Sequence, residues 1–248
     1  MAAVQPGNSG GREPPQIVGA ATLLGGGTAA HAAMTALGCV LGDAAGLGVT
    51  AQLAGTGLSL SAALGYILPL AGMCLAGTAA AERLEEFAKL KRVFQAELIP
   101  QLAQLPIWGL GLLALGAGVG EETLFRGFLQ SAAIQGLAGV LPAEFATACG
   151  LAAGSVVFGA LHALTPSYFL FATAAGFVFG SEYLQYGLQT AAATHWLYDW
   201  AALIYIIGVW GGGGSDDGSS RGGGGSNREA GSTPKPGSLQ QDPELGGR

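Results

Sequence analysis

Charge is what this sequence has least of. Only 10% of its 248 residues are charged, against about 25% in an ordinary soluble domain. There is no basic stripe, and the formal net charge is −6, so nucleic-acid binding is not expected. Cysteine is sparse as well. Cys39, Cys74 and Cys149 lie far apart in apolar surroundings, which excludes a disulfide framework and a CxxC metal site. All three are expected to be buried structural thiols. HExxH is absent, so the strongest zinc motif is missing. The 44 glycines follow no three-residue period and prolines number 11, which excludes collagen. No charged start followed at once by an apolar core marks a secretory signal.

Apolar residues, by contrast, make up half the chain, and the mean hydropathy is +0.45. An all-α, polytopic transmembrane bundle of about six to eight helices follows, with small-residue helix interfaces and disordered termini. Residues 1–16 read as a flexible lead-in. Residues 17–104 read as N-terminal membrane helices, interrupted at 82–97 by a charged amphipathic helix whose basic residues favour a cytoplasm-like side. Residues 105–210 form a second apolar region of four or five helices, with breaks near Glu121, Leu141–Pro142, Thr165–Pro166 and Tyr186–Gly187. The Gly/Ser-rich stretch 211–248 cannot offset its ordering entropy and reads as a disordered tail.

The polar residues inside the second region need a reason. An ionisable group at mid-bilayer costs about 2.5–3.5 kcal/mol on insertion scales. From Leu98 to Trp210 only Glu121, Glu122, Arg126, Glu144, Glu182 and Asp199 are charged, and His162 and His195 join them. Six of these eight fall into three short clusters. In EETLFRG, Glu122 and Arg126 share a helix face and can pair, which leaves Glu121 free to act as a general base. The bland alternative is two acids at a helix N-terminus. In FGALH, Phe158 lies one turn before His162 and can wall a pocket; a hydrogen-bonded core histidine would look the same. In HWLYDW, His195 and Asp199 share a face, so the carboxylate can orient the imidazole. A packing hydrogen bond, with Trp196 and Trp200 as interfacial aromatics, would also fit.

The order EExxxR, FxxxH, HxxxD resembles the CPBP group of intramembrane proteases. That group includes the type II CAAX prenyl endopeptidases and lysostaphin-resistance-protein-A-like domains. The resemblance spans about residues 105–208. It implies an intramembrane endopeptidase that hydrolyses a peptide bond with an activated water. Glu121 would be the base, His162 would share the water, and His195 would stabilise the oxyanion. Glu122 and Arg126 would position Glu121, and Phe158 would shape a dry pocket. Asp199, often Asn in the family, would orient His195 or donate when protonated. No cofactor is required under this glutamate mechanism. Two histidines and a glutamate are also a zinc ligand set, so zinc remains the alternative. The implied partners are membrane lipid and a peptide or prenylated protein substrate. Substrate identity, oligomeric state and compartment are open, with a plastid or other organelle membrane among the options for a photosynthetic source. A non-proteolytic scaffold or immunity-type protein, or a proton-coupled transporter, are the competing classes.

Overall fold

A computed structural model describes residues 17–212. The expected flexible lead-in and nearly all of the Gly/Ser-rich tail lie outside these residues. Within them the chain folds as helices: α1 Ala20–Ala44, α2 Val49–Ala54, α3 Leu60–Ala80, α4 Glu85–Leu102, α5 Ile107–Ala138, α6 Ala143–Leu161, α7 Pro166–Tyr186 and α8 Leu188–Trp210. The all-helical bundle is therefore as the composition demands. Helices α1, α3 and α6 are long and apolar enough to cross a membrane, and the bent pair α4–α5, with 111° between its halves, makes up to four. Spans of this length and apolarity make the chain an integral membrane protein.

Glycine sets how closely these helices approach. On α5, Gly118 backs onto the Ala192 carbonyl and the Trp196 amide of α8, where an added Cβ would lie 2.6 and 2.8 Å from backbone atoms. Gly111, two turns earlier, seats the Trp200 indole. Trp196 and Trp200 donate from Nε1 to the carbonyls of Gly111 and Ile107. These two indoles thus pin α8 to α5 rather than serving only as interfacial anchors. On α6, a Cβ at Gly159 would fall 2.9 Å from the Phe169 carbonyl of α7. Apolar helices gain little from the hydrophobic effect inside a membrane, so close van der Waals packing of this kind holds them together.

The breaks at 139–142, 162–165 and 187 fall where the sequence places them. Thr165 caps α7 by accepting from the Tyr168 amide at 3.1 Å, with Pro166 at the first helical position. This is the arrangement that proline's fixed φ and missing N–H favour. Gly187 alone separates α7 from α8, at φ 81° and ψ 177°, a region essentially closed to other residues.

Three expectations need correction. No break occurs at Glu121; α5 runs on through it as a π-helical stretch, Thr123–Gln130. Glycines upstream of Glu121 read as a loop in one dimension, but in a membrane helix they are interface residues. The acids are consequently not at a helix N-terminus. The amphipathic helix is displaced: residues 81–83 form a turn, Leu84 is the extended N-cap, and α4 begins at Glu85 and continues to Leu102 with a π turn at Phe94–Leu98. Finally, only Cys74 is buried; Cys39 is partly buried and Cys149 is exposed on α6. Apolar neighbours in sequence do not imply burial in the bundle, because the outer face of a membrane helix is apolar too.

Candidate active site

The π stretch of α5 follows directly on Glu122 and turns a set of polar side chains inward. Such i→i+5 bulges recur at functional sites because they re-aim side chains within an otherwise continuous helix. Glu122, Thr123, Phe125, Arg126 and Gln130 are all buried. Thr123 and Ser131 satisfy carbonyls of this irregular turn, donating to Val119 and Arg126 at 2.6 and 2.9 Å.

Arg126 and Glu122 form the ion pair read from their spacing. Arg126 Nη1 lies 3.1 Å from Glu122 Oε1, and both side chains are essentially inaccessible. Arg126 Nη2 donates to the Gly176 carbonyl of α7 at 3.2 Å. The guanidinium lies 4.4 Å from the centre of the Phe158 ring, a cation–π contact that strengthens when desolvated. Glu122 Oε1 also receives His195 Nδ1–H at 2.8 Å. The pair therefore joins α5 to α6, α7 and α8 at one point.

His195 is held from several sides. Its ring stacks on Phe179 with centroids 4.4 Å apart, and its Nε2 lies 3.3 Å from Asp199 Oδ2, one turn further along α8. His162 sits just past the C-terminus of α6, where its Nδ1 meets the Phe158 carbonyl at 2.8 Å. A carbonyl can only accept, so Nδ1 carries the proton and Nε2 of the neutral ring is an acceptor. The Phe158 ring packs on His162 at 4.3 Å.

Glu121 lies among these groups. Its Oε2 is 3.6 Å from His162 Nε2 and 3.9 Å from His195 Nε2. These separations are too long for direct hydrogen bonds. Among the described residues, no group donates to that buried oxygen. The other oxygen, Oε1, is 3.8 Å from His31 Nε2 on α1. All seven residues singled out from the sequence thus converge: Glu121, Glu122, Arg126, Phe158, His162, His195 and Asp199.

A cavity of about 150 Å³ opens beside this cluster. Phe158, His162, His195 and Asp199 line one end of it. The rest is mainly apolar, with Phe87, Leu90 and Phe94 of α4 among its walls. The outer face of α4 carries the ion pairs Glu86–Lys89 and Glu85–Arg92, so this amphipathic helix roofs the cavity with its apolar side. Ser167 fastens the roof to α7 by donating to the Glu86 carbonyl at 2.9 Å.

The model of the family described as Type II CAAX prenyl endopeptidase Rce1-like matches residues 103–201. This region of the chain is similar to that family. This region runs from the α4–α5 link into α8 and contains all seven residues above. No curated protein and no solved structure matches the chain. The family description concerns CAAX-type prenyl endopeptidases, and the part of this chain that is similar to it is residues 103–201.

Among the described residues, no group of three His, Cys, Asp or Glu could hold a metal ion. Both nitrogens of His195 already face carboxylates.

Sequence reasoning overlooked His31, which stands alone in an uncharged stretch far from the three clusters. It also left Glu182 without a place. That carboxylate is fully buried on α7 and accepts from Thr194, the neighbour of His195, at 2.6 Å. Phe179, the stacking partner of His195, carried no signal beyond an apolar position in α7. Glu144, the remaining acid, lies exposed in the first turn of α6, where a negative charge suits the helix dipole.

Proposed function

We propose that this protein is an endopeptidase that hydrolyses a peptide bond with a water activated by Glu121. Its substrates would be peptides bearing an apolar, prenyl-type group. The observation that carries the reading is the acceptor-only pair, Glu121 Oε2 and His162 Nε2, 3.6 Å apart, with His162 lining an apolar cavity.

A water donating one hydrogen to each of these atoms presents its lone pair to a substrate carbonyl. Glu121 takes the proton as the oxygen attacks carbon. The oxyanion of the tetrahedral intermediate accepts from His195 Nε2–H. A carboxylate beside each ring nitrogen suits a ring carrying both protons. Preorganised donors of this kind contribute about 10²–10³ in rate. Collapse breaks the C–N bond, and Glu121 returns its proton to the leaving amine. Asp199, an acceptor when ionised, orients His195 rather than donating to the oxyanion. Glu122 and Arg126 fix the turn that carries Glu121 and the ring that faces it. The prenyl-type chain lies in the cavity under α4. No step is assigned to a metal.

The test is cleavage of farnesylated and unmodified CaaX peptides by the purified protein, with Gly77→Leu as a cavity variant. Gly77 lines the apolar wall, away from the polar cluster. The reading predicts cleavage of the farnesylated peptide. It also predicts a KM raised about tenfold or more by Gly77→Leu with little change in kcat, a loss confined to substrate binding. Equal cleavage of both peptides, unaffected by Gly77→Leu, would remove the prenyl group from the account. A folded protein that cuts neither would place the chain among non-proteolytic members of its family.

A further inference from the structure

The matched region supplies two of the three imidazoles around Glu121; the third comes from α1, outside it. His31 Nε2 lies 3.8 Å from Glu121 Oε1, whereas His162 and His195 face Oε2. The two carboxylate oxygens are thus divided between opposite sides.

The seat of His31 is cut into α5. A Cβ at Gly116 would lie 2.9 Å from His31 Nδ1 and 3.2 Å from its Cβ. A Cβ at Gly120 would lie 2.6 Å from the His31 carbonyl oxygen. These two glycines, one turn apart and directly before Glu121, form a slot that only glycine leaves open. One turn along α1, Thr35 Oγ1 donates to the same carbonyl at 2.9 Å. The imidazole is largely enclosed, with 20% of its side-chain surface exposed, and among the described residues its Nδ1 has no hydrogen-bond partner. The ring is therefore aimed at the carboxylate by backbone packing rather than by a hydrogen bond of its own.

We propose that His31 is a positioning residue for Glu121. Its Nε2–H faces Oε1 in a close polar contact and keeps that oxygen turned away from the reaction, so that Oε2 points between His162 and His195. The assignment rests on Glu121 being the base. It makes α1 part of the active site, so the matched region is not a complete catalytic unit.

The test uses the full chain in detergent, with His31→Ala, His31→Gln and Glu121→Gln beside wild type. His31→Ala should lower kcat about 10- to 100-fold, the scale of a small misplacement of a reacting group, with KM within about twofold. His31→Gln keeps an N–H at similar reach and should recover most of the loss. Ring signals of [13C]histidine-labelled protein give a readout that needs no substrate: Glu121→Gln should shift those of His31.

Wild-type kcat in His31→Ala, with Glu121→Gln inactive, would overturn the role of His31 alone. An equal fall in both His31 variants, with equal loss of thermal stability, would reduce His31 to packing. Unmoved His31 signals in Glu121→Gln would overturn the contact itself. Full activity in Glu121→Gln would instead overturn the reading of the base, and His31 with it.

Discussion

Arg126→Met removes the guanidinium from the buried cluster while keeping much of its volume. Three contacts go: the Glu122 ion pair at 3.1 Å, the hydrogen bond to the Gly176 carbonyl at 3.2 Å, and the face contact on Phe158 at 4.4 Å. The dominant cost comes from Glu122. Its carboxylate is fully buried and would lose its guanidinium partner, a change that destabilises by about 3–5 kcal/mol. Adding Glu122→Gln removes the stranded charge and leaves an amide oxygen for His195. What then remains is mostly the lost charged hydrogen bond to Gly176, about 1.5–3 kcal/mol. The double variant should therefore be about 2 kcal/mol more stable than Arg126→Met alone. Reversible unfolding in mixed micelles, followed by tryptophan fluorescence, reads this directly, because Trp196 and Trp200 report the α5–α8 contact. A double variant no more stable than the single one would refute the reasoning, since the penalty would then not be the unpaired charge.

The other predictions concern the backbone and the site. Gly159→Val should separate α6 from α7, because even a Cβ there falls 2.9 Å from the Phe169 carbonyl; expression in the membrane fraction should drop, and His162, which follows α6, should lose its place. Gly187→Ala should cost about 1–3 kcal/mol, the penalty of a strained φ, ψ pair, measured in the same unfolding assay. His162→Ala should lower kcat about 10²–10⁴-fold, the range for groups that handle the reacting proton, with stability near wild type, since the ring is partly exposed and bonds only its own helix.

How much of this could be read without the structure differs between parts of the molecule. The site was legible because a charge in an apolar helix is costly, so each one in residues 98–210 demands a partner. The four-residue spacings of Glu122–Arg126 and His195–Asp199 then name those partners directly, and the structure brings both pairs to within 3.3 Å. Connections were legible where a residue dictates them, as at Thr165–Pro166 and Gly187. The glycines of α5 misled, because Gly116, Gly118 and Gly120 suggest a loop to local propensity and an interface to tertiary packing; the latter prevails where helices must nearly touch. His31 was not legible at all. Its partner is 90 residues away in the chain, and nothing on its own helix marks the face that meets Glu121. Cys149 shows the same limit from the other side, since apolar sequence does not tell a buried face from a membrane-facing one.

The central claim is that Glu121 activates the attacking water without a metal. Its most direct test is the cleavage of a farnesylated CaaX peptide by the purified full chain, wild type beside Glu121→Gln, each with and without a strong chelator. The account predicts cleavage by wild type that the chelator does not change, and at least about a 10²-fold loss in Glu121→Gln. Retained cleavage in Glu121→Gln, or wild-type activity removed by chelator and restored by zinc, would contradict it.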